Sequence, residues 1–294
     1  MIDSLKLLAL NGGAHINEVV QLKLLQTIVT ILTTCEIHDK TLSNALLICF
    51  KLHQKKEQKN LSVISTASAS IRQLVTMIFD NATLQIFPSF IYTSTEKNLI
   101  FQKLESAETM EEMPLIFADA YRLLNDLCQI SIGDSSNWLL VENIENSFSL
   151  ELIESILSKN NSLLFIHSKH FKRIVTDRIC PLIFEFLKTK NDFKIMSRVL
   201  KIVCNLLSHY NTILVCFFFF SSFFFKNCDK IKVAETEVFI SKLIRFLESD
   251  NNLWLHTLVL EIFHSIIQSP GLLLLFYTKY DLRGNPFFLF LIIF

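Results

Sequence analysis

Only five glycines and five prolines punctuate the 294 residues, and that scarcity constrains the fold more than any other feature. Sandwiches and barrels turn every few residues and place Gly and Pro at those turns. Between the few breakers here lie Leu- and Ile-rich stretches spaced by three and four residues, the period of a helix with one buried face. Hydrophobic residues make up 51% of the chain and charged residues 19%, which excludes disorder, and the length permits one large domain or two small ones. Lys and Arg together number 28, matching 28 Asp and Glu. The broad positive field on which non-specific nucleic-acid binding depends is absent, and no nucleic-acid partner is expected.

The periodicity predicts a helix over Glu18–Thr33 with Val19, Leu22, Leu25, Ile28, Val29 and Leu32 on its buried face. A second runs over Leu42–His53 behind an N-capping Thr41, and a third carries Ala67, Ile71, Leu74, Val75, Ile78 and Phe79 on one side. From Asn81 to Met113 the pattern lapses into a long loop, which predicts a subdivision near residue 95. Helical spacing resumes at Leu115–Ile132, Phe148–Leu157, Ser168–Leu187, Phe193–Tyr210, Glu235–Leu247 and Leu253–Ile267, with Pro181 expected to kink or split its helix. Roughly nine helices with short polar connections read as an all-α fold, an armadillo/HEAT-like α-solenoid of paired helices. A plain helical bundle is the alternative. Solenoids present long grooved surfaces, and such surfaces bind other proteins.

Seven cysteines, scattered without repeated spacing, suit a reducing compartment better than a disulfide framework. Met1–Leu10 carries Asp3 and Lys6 and has no secretory signal, so the sequons at Asn60, Asn81 and Asn160 are expected to have no consequence. Cys35 with His38, and Cys49 with His53, have spacings that suit zinc. Cys49 nevertheless falls on an apolar helix face, where a free thiol behaves as a small hydrophobe. His167 with His170, and Cys204 with His209, lack a second pair beside them; Glu261 with His264 has the spacing of a di-iron ligand motif but stands alone. No Walker loop, dinucleotide fingerprint, nucleophile elbow or zinc-protease motif occurs. The expectation is no catalytic, cofactor or metal residue, and no enzyme. Lys51–Lys59, with Lys55 and Lys56 adjacent, reads as a solvated connection or as a basic patch for anionic lipid.

A mean hydropathy of +0.40 and 27 Phe trace to two patches, Phe217–Phe225 and the last residues of the chain. The uncharged stretches Ile213–Phe225 and Pro286–Phe294 both fall short of the roughly 20 residues that a spanning helix needs. Phe217–Phe225 contains only Phe and Ser, residues that a pyrimidine run encodes, and it reads as translated intron. An integral membrane protein anchored by either patch is the alternative.

Several segments resemble, in colinear order, the N-terminal region of the large ARF exchange factors of the BIG class, and more closely their monensin-hypersensitivity (MON two) branch. They are LKLLQTIVTILTTCEIHDKTLSNALLICFKLH from Leu22, TASASIRQLVTMIFD from Thr66, DAYRLLNDLCQ from Asp119, SFSLELIESIL from Ser147, RICPLI from Arg178, TEVFISKLIRFLESDNNLWLHTLVLEIFH from Thr236 and YDLR from Tyr280. Trp138 with Leu139 and Leu140, and the segment around Trp254 and His264, favour the MON two branch. The resemblance implies a dimerisation and cyclophilin-binding (DCB) scaffold of armadillo type over 18–210, continuing over 233–284. It leaves 1–17 unmatched, 216–232 as a Phe-rich insert and 285–294 as an unmatched apolar tail. It implies further that upstream helices are missing, leaving the side of Val19, Leu22 and Ile28 uncovered. The implied function is a non-catalytic scaffold of Golgi-to-endosome vesicle trafficking on the cytosolic face of the Golgi, trans-Golgi network and endosomes. Its implied partners are trafficking proteins, small ARF-like GTPases and a second copy of itself, with peripheral membrane contact. The alternative within the family is the regulatory region of an ARF exchange factor.

Overall fold

Asn17 opens the first helix: its side-chain oxygen accepts the Val19 N–H at 3.3 Å, and Glu18 lies against the positive end of the helix dipole. The computed structural model of the chain describes residues 17–54, 61–86, 107, 109, 111–157, 161–189, 192–210, 243–248 and 253–276. Its elements are α1 (Glu18–Thr34), α2 (Asp39–Gln54), α3 (Leu61–Ile86), α4 (Leu115–Ile132), α5 (Asn146–Ile156), α6 (Ser162–His167), α7 (Lys169–Ile174), a π turn (Val175–Ile179), α8 (Cys180–Lys188), α9 (Phe193–His209), α10 (Leu253–Gln268) and α11 (Pro270–Phe276). The fold is all-α, built of paired helices in the armadillo/HEAT manner, and no strand occurs among the described residues. The Phe-rich insert, the apolar tail, the basic residues Lys55, Lys56 and Lys59, and most of 1–17 and of the 81–113 connection lie outside the described residues.

The chain forms two compact units, 1–156 and 157–294. In the first, α1, α2 and α3 pack mutually, and α3 also packs on the hairpin of α4 and α5. A subdivision near residue 95 is therefore not where packing divides, because α3 is held to α4 and α5 across it. Helix α1 buries Gln21, Leu25, Ile28 and Leu32, while Val19 is 61% exposed. Leu25, Ile28 and Leu32 are buried as the periodicity predicts, but Gln21 is buried where Val19 is exposed, and Ile28 is covered although the resemblance implies an uncovered side there. On the solvent side Thr27, Thr30, Thr33 and Thr34 each donate a hydroxyl hydrogen bond to the carbonyl four residues back, which satisfies a face of β-branched residues within the helix. Helix α2 is buried almost all round, from Leu42 to Leu52.

Helix α3 runs to Ile86, past the expected lapse at Asn81, because Ala82 and Thr83 remain buried. By length and composition it is apolar enough to cross a membrane. In the fold its buried face, from Val63 to Thr83, packs against α1, α2, α4 and α5, and Arg72 and Gln73 face outward.

In the second unit α7, the π turn and α8 form one continuous helical run. Pro181 does not split it. A proline lacks an N–H and its ring meets the carbonyl four residues back, here that of Asp177. The π turn lies immediately upstream, with the Cys180 N–H reaching back to the Val175 carbonyl, so the wider turn takes up the strain that a regular helix would meet. Helix α9 packs on α8 and α10 through Met196, Val199, Leu200, Val203, Leu206 and Leu207. Phe193 meets Trp254 of α10 edge-on at 4.3 Å. Short α6 and α11, absent from the sequence reading, offer too few turns to show a period.

Phe165 is fully buried and meets the rings of Phe171 at 5.4 Å and Tyr210 at 5.2 Å, both edge-to-face. Phe165→Ala removes both contacts and leaves a cavity. The expected loss is about 3–5 kcal/mol, read from chemical denaturation, against a loss near zero for the exposed Ile132→Ala.

Candidate functional site

Asp119 and Asp126 stand one heptad apart on the apolar face of α4, among Phe117, Leu123, Leu124 and Leu127. Both are essentially inaccessible to solvent, and buried carboxylates persist only where donors surround them. Asp119 accepts the Asp39 backbone N–H at 3.1 and 3.2 Å and bonds His38 Nδ1 at 2.9 Å. Arg122 lies 3.6 Å from the same carboxylate and donates to the Asp39 carboxylate at 2.8 Å. Asp39 itself has φ 55°, a left-handed conformation that few non-glycine residues adopt. These bonds fix the start of α2 at Asp39, three residues ahead of the start that a Thr41 cap implies. Burial raises the Asp119 pKa above the ordinary carboxylate value, against the lowering by the Asp39 amide, His38 and Arg122.

Asp126 organises the connection between α4 and α5. Gly133 takes φ 95° to end α4, and the chain then folds back so that the Trp138 and Leu139 N–H groups donate to Asp126 at 2.8 and 2.7 Å. Ser136 Oγ donates to the Val141 carbonyl and accepts its N–H. Helix α2 holds the same connection, through Ser43 Oγ to the Trp138 carbonyl and Gln54 Nε2 to the Glu142 carbonyl. Leu140, at φ 52° and 59% exposed, is presented outward by this scaffold.

A third polar contact joins α3 to α5. Arg72 Nε donates to Glu151 at 2.5 Å, and its guanidinium lies 5.2 Å from the centre of the Phe148 ring, a cation–π arrangement. His53 stacks on the same ring at 4.5 Å, 19° from parallel.

Where α1 and α3 end and α4 begins, a groove of about 620 Å³ opens. Its base holds Leu32, Leu42, Ile78 and Asp119; Leu84 and Leu115 stand at its edge, 60% and 55% exposed. Cys35, Glu36 and His38 line it from the α1–α2 connection.

The spaced His, Cys and acid pairs go elsewhere. Cys35 is exposed and Cys49 buried, and burial pushes the Cys49 thiol up to about 12. His38 is engaged by Asp119 and His53 by Phe148. Cys204 is pushed up to about 12 by burial, with Glu261 adding to the shift. His264 bonds Gln268 at 2.8 Å, and His170 is buried. Among the described residues no three His, Cys, Asp or Glu side chains are grouped to hold a metal ion. The residues that organise this region, Asp119 and Asp126, have one sequence signal: two acids seven apart within an apolar helical face. Their donors, 80 residues upstream for Asp119, have none.

The family model described as "Mon2/Sec7/BIG1-like, dimerisation and cyclophilin-binding domain" matches residues 4–86. The model described as "Mon2/Sec7/BIG1-like, HUS domain" matches 116–225 and 220–285, more than half of the chain. The chain belongs to the Mon2/Sec7/BIG1-like family. It is 30% identical over 271 residues to the human protein MON2 homolog and 29% identical over 291 residues to that of Drosophila melanogaster. The Saccharomyces cerevisiae protein MON2 is 24% identical over 280 residues. Each alignment takes in 92% of this chain but only 15–16% of the relative, so the chain spans about one sixth of the length of these curated relatives. No solved structure matches it.

Two features of the Mon2/Sec7/BIG1-like matches differ from the resemblance read in the sequence. The DCB match begins at residue 4, ahead of Glu18, and the HUS model takes the chain from residue 116 onward, where the sequence reading continues the DCB scaffold. The two HUS stretches meet inside the Phe-rich run. The bonds of His38 and Asp39 to Asp119, of Ser43 and Gln54 to the connection after α4, and of Arg72 to Glu151 each join DCB-matched to HUS-matched residues, so this site is the junction of the two family modules.

Asp119→Ala leaves the Asp39 amide and His38 without their acceptor at a buried position, and the expected loss is about 2–3 kcal/mol in denaturant titrations. Asp119→Asn, which keeps an acceptor oxygen, is expected to lose less. Asp126 gives a separate pH signature. Burial raises its pKa from the ordinary 3.8, opposed by the amides of Leu139, Trp138 and Asn137 and by Asn125. Between the ordinary and the raised value the folded chain keeps a proton that the unfolded chain has released, so this contribution to stability falls as pH rises through that window. Asp126→Asn removes the titrating group while retaining an acceptor, and is expected to flatten the fall in denaturation midpoint as pH rises above the ordinary carboxylate range.

Proposed function

We propose that the chain is a non-catalytic helical scaffold in vesicle-mediated protein trafficking, working by protein–protein contact on the cytosolic face of the Golgi, trans-Golgi network and endosomes. The observation that carries this reading is the ordered pair of matches, DCB then HUS, across most of the chain. The DCB model is described as a dimerisation and cyclophilin-binding domain, and it supports self-association as one of the contacts. The small ARF-like GTPases and other trafficking proteins are further proposed partners, and attachment to membrane is peripheral.

Geometry supports the same reading. The polar groups of the junction are spent on one another: His38 on Asp119, Arg122 on Asp39, Arg72 on Glu151. They position helices, and beside His38 and Asp119 a groove with an apolar base of Leu32, Leu42 and Ile78 suits a protein surface.

Light scattering is expected to give a mass about twice the 34.0 kDa of one chain; a monomer across the whole concentration range removes self-association. A fluorescently tagged chain is expected to gather on Golgi and endosomal membranes and to leave them on carbonate extraction. Diffuse cytosolic signal overturns the siting, and retention in the carbonate pellet favours the integral-membrane alternative. Nucleotide exchange on an ARF GTPase by the chain alone would overturn the non-catalytic reading.

A further inference from the structure

The groove at the module junction has an electrostatic character as well as an apolar one. Among the described residues its charged side chains are the exposed Glu36 and the buried Asp119, the latter engaged by His38 and Arg122, and no described Lys or Arg lines it. The helices α1 and α3 both end at it, and neither carries a basic residue in its last turn. A helix C-terminus bears a partial negative charge of about half a unit, ordinarily offset by a nearby cation. Here two such ends converge with none supplied by their own last turns. Helix α4 begins at the groove and brings a positive end, but the exposed Glu111 and Glu112 stand three and two residues ahead of Pro114. The surface therefore sets the apolar Leu32, Leu42 and Ile78 beside a negative rim formed by Glu36 and the ends of α1 and α3, with Leu84 and Leu115 standing in solvent at its edge.

We propose that this groove receives a basic amphipathic helix of a partner protein, its apolar face on Leu84 and Leu115 and its Lys or Arg side chains toward Glu36 and the ends of α1 and α3. A volume of about 620 Å³ suits the few large side chains that such a helix projects at positions i, i+3 or i+4, and i+7. An acidic or uncharged helix would fill the apolar base and leave the negative rim uncompensated. Because the groove is walled by α1 and α3 on one side and α4 on the other, occupancy also requires the DCB and HUS modules to be docked. The proposal rests on the scaffold reading for the existence of a protein partner, and it adds the chemistry of that partner and the place it binds.

The probe is a fluorescein-labelled 18-residue helical peptide of Leu and Lys, apolar on one face, with a second peptide in which Glu replaces every Lys. The full chain is expected to bind the Lys peptide saturably, weakening with added salt, and to bind the Glu peptide at least ~10-fold less well. Leu84→Glu with Leu115→Glu is expected to cost ~10-fold or more in affinity, and Glu36→Lys ~3- to 10-fold. All three side chains are exposed, so circular dichroism and denaturation midpoints of the variants are expected to match the parent. No saturable binding, equal binding of the two peptides, or binding indifferent to the three substitutions would each overturn the proposal. If the Leu84 and Leu115 changes abolish self-association instead, the occupant is a second copy and the proposal is wrong. None of these failures touches membrane siting, which the tagged chain reads separately.

Discussion

A single carboxylate, that of Asp119, settles how the first compact unit is arranged. Placed at zero exposure in the second turn of α4, it costs several kcal/mol unless its oxygens are occupied. The groups that occupy them are a backbone amide and an imidazole from residues 38 and 39. That requirement brings the start of α2 to α4, and α2 then lies where its nearly all-round apolar surface is covered by α1 and α3. Asp39 pays for the position with a left-handed backbone conformation, which Arg122 stabilises from α4. The order of causation is long-range: a residue in the HUS-matched region fixes the helix boundary of a residue in the DCB-matched region.

Family modules and packing units therefore divide the chain differently. The two matches leave 87–115 between them, whereas the compact units part after Ile156. Helices α4 and α5 belong to HUS by descent and to the DCB helices by burial. Cut at the family boundary, α3 would expose the face it turns to α4 and α5, and Arg72 would lose Glu151 and the Phe148 ring together. A boundary drawn from sequence similarity records what has been inherited as a unit; one drawn from burial records what has to be present for an apolar face to be covered.

The same distinction decides what was legible in the sequence. Helices α1, α4, α9 and α10 could be placed to within a residue, because each buries a stripe at helical spacing and local pattern is enough. The face of α1 was legible only approximately: Gln21 took the position that Val19 was expected to hold. The start of α2 was missed because a bond from 80 residues away sets it, and Thr41, a good cap by type, was not needed. The end of α3 was missed because Ala82 and Thr83 are weakly apolar and are buried by neighbours, not by pattern. Pro181 carried a correct warning with an incomplete remedy: the helix does deviate there, but by widening into a π turn. The spacing of Cys49 and His53 along one helix says nothing of what faces them, and here they face an apolar core and a Phe ring.

Helices with similar Leu and Ile stripes can pack in more than one register, since sliding by one turn exchanges one apolar contact for another at little cost. Buried polar groups remove that freedom. A one-turn slip of α2 along α4 would carry the Asp39 amide about 5.4 Å from Asp119 and leave both unsatisfied in a dry site. Asp126 with the Trp138 and Leu139 amides, and Ser131 Oγ with Ser149 Oγ at 2.8 Å, impose the same condition on α4, its following connection and α5. Three polar pins along one helix thus hold α4 to the α1–α2 connection, to its own following connection and to α5. The groove is a consequence of that register: its negative rim exists because two C-termini arrive at the same place, and a slipped packing of the same apolar stripes would bury as much surface while dispersing them.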